Sequence, residues 1–337
     1  MIPIPRASIP GTRSYVSITR TSRQNPIPDG RSSYTADLIR LSKRARGKDL
    51  SDTLARRLIR DGDGTLAKQY RDTVDCSGTL TSRDGRWESR YCRHRWCITC
   101  SKIRTARLID KYQPTLEGMD DPYFVTLSFQ NVYPEALPEA VDDTIRVFNS
   151  CKRSIRYLGS EFVAVRVLEV TINNRDHTVH PHIHVLINGA DTAKALRNLW
   201  LIRCKKYGRK AHSRGQDVRP ANGKTLIELF KYSVKGLPKL KDRAIPSGYF
   251  ATLDLVFQCL KGRRLIQTIG FTVSDAEADD AFDDLTNGIR TSEAEGTVAV
   301  WLDGIRGWVV DGTGELIGAY DPSDKYQKYL ASVRGFA

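Results

Sequence analysis

Residues 162–172, FVAVRVLEVTI, and residues 180–187, HPHIHVLI, decide the fold. Both runs are rich in β-branched residues and short enough to be strands. Side chains alternate faces along a strand, so His180, His182 and His184 point one way while Ile183, Val185 and Ile187 face a core. The chain has six histidines, so half of them stand on this one face. Imidazoles at spacing two can hold a divalent ion. Glu169 on the preceding strand adds a hard oxygen ligand suited to Mg2+ or Mn2+. The plainer alternative is a hydrogen-bonded histidine cluster at a strand start, with Pro181 marking a sheet edge.

Working outward, YFVTLSF (123–129) reads as a strand, residues 134–158 as a long helix, 192–207 as a helix and DVRP (217–220) as a short strand. Residues 223–237 read as a helix ended by Gly236 and Pro238. The order predicts an α+β fold in which an antiparallel sheet is covered by helices, in a split β-α-β arrangement. Residues 34–60 carry apolar side chains at helical spacings and predict short helices. Residues 1–33 hold five prolines and no period, the pattern of a flexible basic arm. Ser274 and Glu277 predict a capped acidic helix near 275–286, and 297–320 reads as short strands joined by Asp-Gly and Gly-rich turns. The expected division is an arm (1–33), a helical and Cys-rich module (34–110), a catalytic domain (118–270) and an acidic helical and strand extension (271–337).

The chain has 337 residues, of which 40% are apolar and 27% charged, which excludes a disordered or collagen-like chain. No apolar run reaches membrane-spanning length, and the first residues lack a secretory pattern, so a cytoplasmic protein without a membrane partner is expected. Fifty-three basic against 39 acidic residues give a net charge of +14. Residues 51–270 carry +15 of it, residues 1–50 add +7, and residues 271–337 carry −8. A basic middle of this kind draws polyanions, nucleic acid foremost, by counterion release.

In the helix at 223–237, Glu228, Lys231, Tyr232 and Lys235 fall on one stripe, with Leu226, Ile227, Phe230, Val234 and Leu237 opposite. A tyrosine between two lysines can attack phosphorus, because the cations favour phenolate and hold the phosphate. Glu228, one turn earlier, can act as a base toward water. The same stripe also describes a solvated helix face.

Cys76, Cys92, Cys97 and Cys100 stand in the pattern C-x15-C-x4-C-x2-C, which fits a closed tetrahedral Zn2+ site, with His94 a possible substitute for one thiolate. Arg93, Arg95, Lys102 and Arg104 are interleaved as phosphate contacts, and Trp96 is either a base-stacking ring or core. Cys151, Cys204 and Cys259 read as small core residues. Asn222-Gly223-Lys224-Thr225 ends like a phosphate-binding loop, but Val218 stands where that pattern needs glycine, so no ATPase is expected.

The segment HPHIHVLI resembles the paired-histidine (HUH) motif of rolling-circle replication initiators, the Rep proteins of small plasmids and phages. YFVTLSFQN resembles their first motif, ELFKYSVK (228–235) their tyrosine motif, and LKGRRLIQTIG (260–270) a later segment. A similar Cys-rich module precedes the first motif in that family; here Ile98 replaces a common proline. The resemblance spans about residues 76–270. It implies an HUH endonuclease and strand transferase acting on single-stranded origin DNA. His182, His184 and Glu169 would hold the ion. Tyr232 would attack the phosphate, leaving a 5′-phosphotyrosine and a free 3′-OH, and Glu228 would activate water to end the cycle. Host helicase and polymerase are the implied partners, and His180 would bind the ion or support it. Two alternatives are an HUH transposase or mobilisation relaxase, disfavoured by the Cys module and the LKGRR segment, and a non-enzymatic zinc protein that only binds DNA.

Overall fold

A computed structural model describes residues 30–230, 245–246, 248–271, 289 and 291–335. It is α+β, with two antiparallel five-stranded sheets and helices packed on them. The first sheet holds β1 (Thr79–Arg83) and β2 (Arg86–Ser89). The second is built from β3 (Pro122–Ser128), β4 (Ala164–Asn173), β5 (Thr178–Asn188), β6 (Asp217–Pro220) and β7 (Ile266–Ile269) in the order β6-β3-β5-β4-β7. β3 and β4 run parallel with β5 between them, antiparallel to both. This is the split β-α-β arrangement that the order of strands and helices predicts, with β7 added at the edge.

Helices α1 (Gly30–Asp61), α2 (Ala67–Asp75) and α3 (Ile98–Glu117) precede this sheet. α4 (Leu137–Tyr157) follows β3, α5 (Ala190–Lys206) follows β5, and α6 (Thr225–Phe230) follows β6. α7 (Tyr249–Leu260) leads into β7. One face of the sheet packs on α4, α5 and α7 through Ile183, Val185, Ile187, Val147, Phe148, Leu196, Trp200 and Val256. Near one end of the other face, Phe124, Val165 and Leu186 meet Tyr112 and Leu116 of α3 and Leu226, Leu229 and Phe230 of α6. The histidines occupy the rest of that face.

Several expectations are corrected. Residues 34–60 form one continuous helix instead of short ones, because no proline interrupts α1 and its glycine, Gly47, lies against Thr99, where a side chain would crowd Oγ1 at 3.3 Å. β5 is a central strand, so Pro181 marks no edge. The amide positions of Val179 and Pro181 point toward β3, which leaves the ladder after Ser128 and rejoins at Val132 with bonds of 2.8 and 2.9 Å to Val179. The missing N–H of Pro181 therefore falls in the gap. In α6, Ile227 is exposed and Leu229 is buried in its place, since docking on α3 uses 226, 229 and 230 at i, i+3 and i+4. The helix expected at 275–286, the continuation of the Tyr232 helix past Phe230 and the arm at 1–29 lie outside the described residues.

The C-terminal strands β8 (Val298–Leu302), β9 (Gly307–Val310) and β10 (Leu316–Ile317) complete the first sheet, in the order β10-β9-β8-β1-β2. Thr79 faces Val300 and Leu80 faces Ala299 across the seam. Helix α8 (Asp324–Arg334) packs through Tyr326, Tyr329, Leu330 and Val333 on α1 and α7. The residues after 297 thus share a sheet and a core with residues 41–89. No helix among the described residues is long and apolar enough to cross a membrane.

Candidate metal centres

The turn between β4 and β5 sets the site. Asp176 accepts from the amide and hydroxyl of Thr178 at 3.2 and 2.5 Å, and Asn173 accepts from the amide of Arg175 at 3.1 Å. These side-chain-to-backbone bonds fix the loop, and the loop fixes the register. Glu169 consequently lies directly across from His182, and His184 lies between Thr126 and Val167. A slip of one residue would send Glu169 to the opposite face.

His182 Nε2 lies 3.3 Å and His184 Nε2 3.2 Å from Glu169 Oε2. All three side chains are at least nine-tenths buried as measured at the residue level, with 4–8% exposed. The outer nitrogens are also held: His182 Nδ1 lies 3.0 Å from the carbonyl oxygen of His180, and His184 Nδ1 lies 3.1 Å from Thr126 Oγ1. A carbonyl can only accept, so His182 Nδ1 donates to it and Nε2 is the ring nitrogen that faces Glu169. Phe124 stacks on the His184 ring at 5.3 Å. Two inward nitrogen atoms and a carboxylate, with their outer sides tied down, suit a bound divalent ion chemically. The ligand atoms lie within 4.8 Å of one another.

His180 stands beside this group and outside its convergence. Its ring stacks on His182 at 5.0 Å, and burial followed by the neighbouring His182 pushes its pKa down to about 4. Glu228 is partly exposed and bound by Arg219 at 2.5 Å; Arg219 also reaches Asp217 at 3.1 Å and lies 4.8 Å over the Phe124 ring. A cation and an aromatic ring thus link Glu228 to His184. Lys231, Tyr232 and Lys235 lie outside the described residues.

The cysteines form a second centre. Cys76 and Cys100 sulfurs are 3.5 Å apart, Cys76 and Cys97 3.6 Å, and Cys92 and Cys100 3.7 Å. A tetrahedron with bonds of about 2.3 Å has edges of about 3.8 Å, so the spacing fits four thiolates on one ion and is far too long for disulfides. The amides of Arg93 and Cys92 point at Cys100 and Cys76 sulfur at 3.3 and 3.4 Å. Hydrogen bonding with Cys100 holds the Cys97 thiol well below its ordinary pKa, while sharing with Cys100 pushes Cys76 up. His94 stays out of the set, with Nε2 3.3 Å from Asp72.

Around the cysteines, the side chains expected on DNA divide. Arg93 and Lys102 are exposed. Trp96 is buried: its indole N–H donates to Thr73 Oγ1 at 3.1 Å, His94 stacks on it at 5.1 Å, and Tyr70 and Phe257 close around it. Its faces are taken by core, which removes it as a base-stacking ring. Arg95 donates to the carbonyls of Leu260 and Arg263 at 2.9 and 2.8 Å, so its guanidinium clamps the Cys module to the loop before β7 instead of facing solvent. Arg104 donates to the carbonyl of Arg93 at 2.6 Å and braces the loop between Cys92 and Cys97. The sequence reading missed Thr126 and Arg219. Nothing in a single sequence marks either, because both act through cross-strand register.

The family model for the replication protein Rep_1 matches residues 86–190, which run from β2 through Cys92, Cys97 and Cys100 to the end of the histidine strand. Residues 86–190 are thus similar to a replication-protein domain. Curated relatives agree with this domain. "Protein rep" of Bacillus amyloliquefaciens is 22% identical over 68% of this chain and 79% of its own length. "Protein rep" of a Bacillus species is 24% identical over 59% of this chain and 77% of its own. "Protein rep" of Streptococcus pneumoniae is 28% identical over 45% of this chain and 53% of its own. No solved structure matches the chain significantly. The Rep domain match includes Glu169, His182 and His184 and stops before α6.

Proposed function

We propose that this Rep-family chain is a rolling-circle initiator that nicks one strand of origin DNA through Tyr232. The observation that carries the reading is the convergence of His182 Nε2 and His184 Nε2 on Glu169 Oε2, on a sheet whose Rep match spans those residues. Glu169, His182 and His184 would hold Mg2+ or Mn2+, which when bound offsets charge on the nonbridging phosphate oxygens. Thr126 and the His180 carbonyl keep the two rings turned inward. The Tyr232 oxygen attacks phosphorus, a P–O bond to tyrosine forms as the bond to the 3′ oxygen breaks, and that oxygen takes up a proton. The products are a 5′-phosphotyrosine and a free 3′-OH for a polymerase. Lys231 and Lys235 favour the phenolate and hold the phosphate. Glu228 accepts a proton from water in the closing hydrolysis, and Arg219 orients its carboxylate.

Cys76, Cys92, Cys97 and Cys100 would hold a structural Zn2+ that ties α2, β2 and α3 together. Single-stranded and origin DNA are the partners, with host helicase and polymerase downstream, in the cytoplasm. The domain scheme of arm, Cys-rich module, nuclease domain at 118–270 and acidic extension belongs to the same proposal.

The test is a covalent adduct. The protein is mixed with Mn2+ and labelled single-stranded origin DNA and run on a denaturing gel beside Tyr232→Phe. A band lost in the variant supports strand transfer by Tyr232. An adduct that persists in Tyr232→Phe, or none in the parent protein, sinks the reading.

A further inference from the structure

The sheet face opposite the histidines carries a second surface. Helices α4 and α5 lie side by side there, and Arg203 of α5 donates to Ser154 Oγ of α4 at 2.9 Å. The groove between them encloses about 540 Å3 and is lined by Arg153, Ser154, Tyr157, Leu158, Leu199 and Arg203. No carboxylate is among these lining residues. At its rim Tyr157 is 92% exposed and Leu158 75%, although Ile155 in the same turn is buried. An aromatic ring so fully in water is unusual, because burying it removes a large apolar area from solvent.

Among the described residues, the charges that act on Lys152 and Arg166 beneath the rim are all positive. Lys152, Arg153 and Arg156 share the last two turns of α4 with Tyr157. Below them on β4, Arg166 is buried, and among the described residues its Nε and Nη1 have no hydrogen-bond partner. Its Nη2 donates to the Arg264 carbonyl at 3.1 Å, in the exposed loop before β7. Burial, then Arg264, pushes Arg166 down to about 10, and burial, then Arg156, Arg166 and Arg153, holds Lys152 below its ordinary value. These cations repel one another across short distances, and a polyanion laid over them would relieve the repulsion. Lys152, Arg156, Arg166 and Arg264 thus form one electrostatically linked set between α4, β4 and the loop before β7.

We propose that the α4–α5 groove binds single-stranded nucleic acid, with a base stacked on Tyr157 and phosphates on Arg153, Arg156 and Arg203. An open aromatic ring beside a track of cations is what sequence-tolerant strand binding needs. The groove is a second contact on the face away from the histidines. It rests on the nucleic-acid reading of the chain and not on the Tyr232 chemistry.

The experiment measures the affinity of the zinc-loaded full chain for labelled oligo(dT) of about 40 nucleotides, without Mg2+ or Mn2+, across a salt series. Tyr157→Ala is expected to bind about tenfold more weakly, within the range for loss of one stacked base, and Tyr157→Trp to restore binding. Arg153→Gln with Arg156→Gln is expected to flatten the log–log salt slope by about 1.4. Parent affinity in Tyr157→Ala with an unchanged slope in the arginine pair overturns the proposal, and is the outcome expected if the groove serves a protein partner. Adduct formation on origin DNA is read separately. Its absence in the parent would refute the nicking reading alone.

Discussion

Replacing Thr126 by Val tests the histidine centre without touching a ligand. Valine matches threonine in shape and suits a strand, so β3 keeps its pairing, but the partner of His184 Nδ1 at 3.1 Å is lost. The ring is then free to rotate or to adopt the tautomer that turns an N–H toward Glu169. Loss of an outer-shell partner of this kind weakens metal affinity by about 10- to 100-fold. That factor corresponds to about 1.4–2.8 kcal/mol of lost metal-dependent stabilisation at a fixed saturating concentration. The assay is thermal unfolding across a Mn2+ titration of zinc-loaded protein, with Thr126→Ser as the control that keeps the hydroxyl. Thr126→Val should shift the Mn2+ midpoint one to two decades upward, with Thr126→Ser near the parent. If the valine protein shows the parent's midpoint, Thr126 does not set the His184 ring and the argument from tautomer control fails.

Glu228→Gln is expected to leave nicking intact and to lengthen the life of the covalent adduct, read as slower decay of the denaturing-gel band in a chase; a parent-like decay rate would remove the glutamate from hydrolysis. Arg95→Met deletes two charge-assisted bonds to carbonyls at 2.8 and 2.9 Å and should cost about 2–4 kcal/mol, seen as a shifted urea midpoint, while the salt slope of DNA binding stays put. An unshifted midpoint with a shallower salt slope would return Arg95 to the DNA surface. Burial pushes the Cys151 and Cys204 thiols up to about 12, so iodoacetamide at pH 8 should leave both unmodified in folded protein, and labelling should rise only as pH approaches 12. Stripping zinc with a chelator should expose Cys76, Cys92, Cys97 and Cys100 to the same reagent. Mass spectrometry showing those four equally reactive before and after chelation would count against a metal cluster.

How far the sequence reaches can be judged from particular residues. Alternation in HPHIHVLI places three histidines opposite Ile183, Val185 and Ile187, because a strand's period of two is local geometry. The same locality makes β3 to β6, α4 and α5 legible to within a few residues. The four cysteines are legible as a candidate metal set because few other arrangements suit clustered thiols.

Trp96 shows where locality ends. Its flanking arginines look alike in one dimension, yet folding buries the ring against Phe257, which lies 161 residues away, and spends Arg95 on carbonyls of the loop before β7. Thr126 and Arg219 are invisible for the same reason, since each gains its role from a strand remote in the chain. The acidic C-terminal region reads as an appendage, and only the pairing of Thr79 with Val300 makes it part of a sheet begun at β1. By itself, then, the sequence determined the identity of the strands, the face that bears the histidines and the candidate ligand types, because these follow from period and side-chain chemistry. Tertiary structure alone decided the Glu169–His182 register, the partners of Thr126 and Arg95 and the burial of Trp96, because each depends on contacts between residues that only folding brings together.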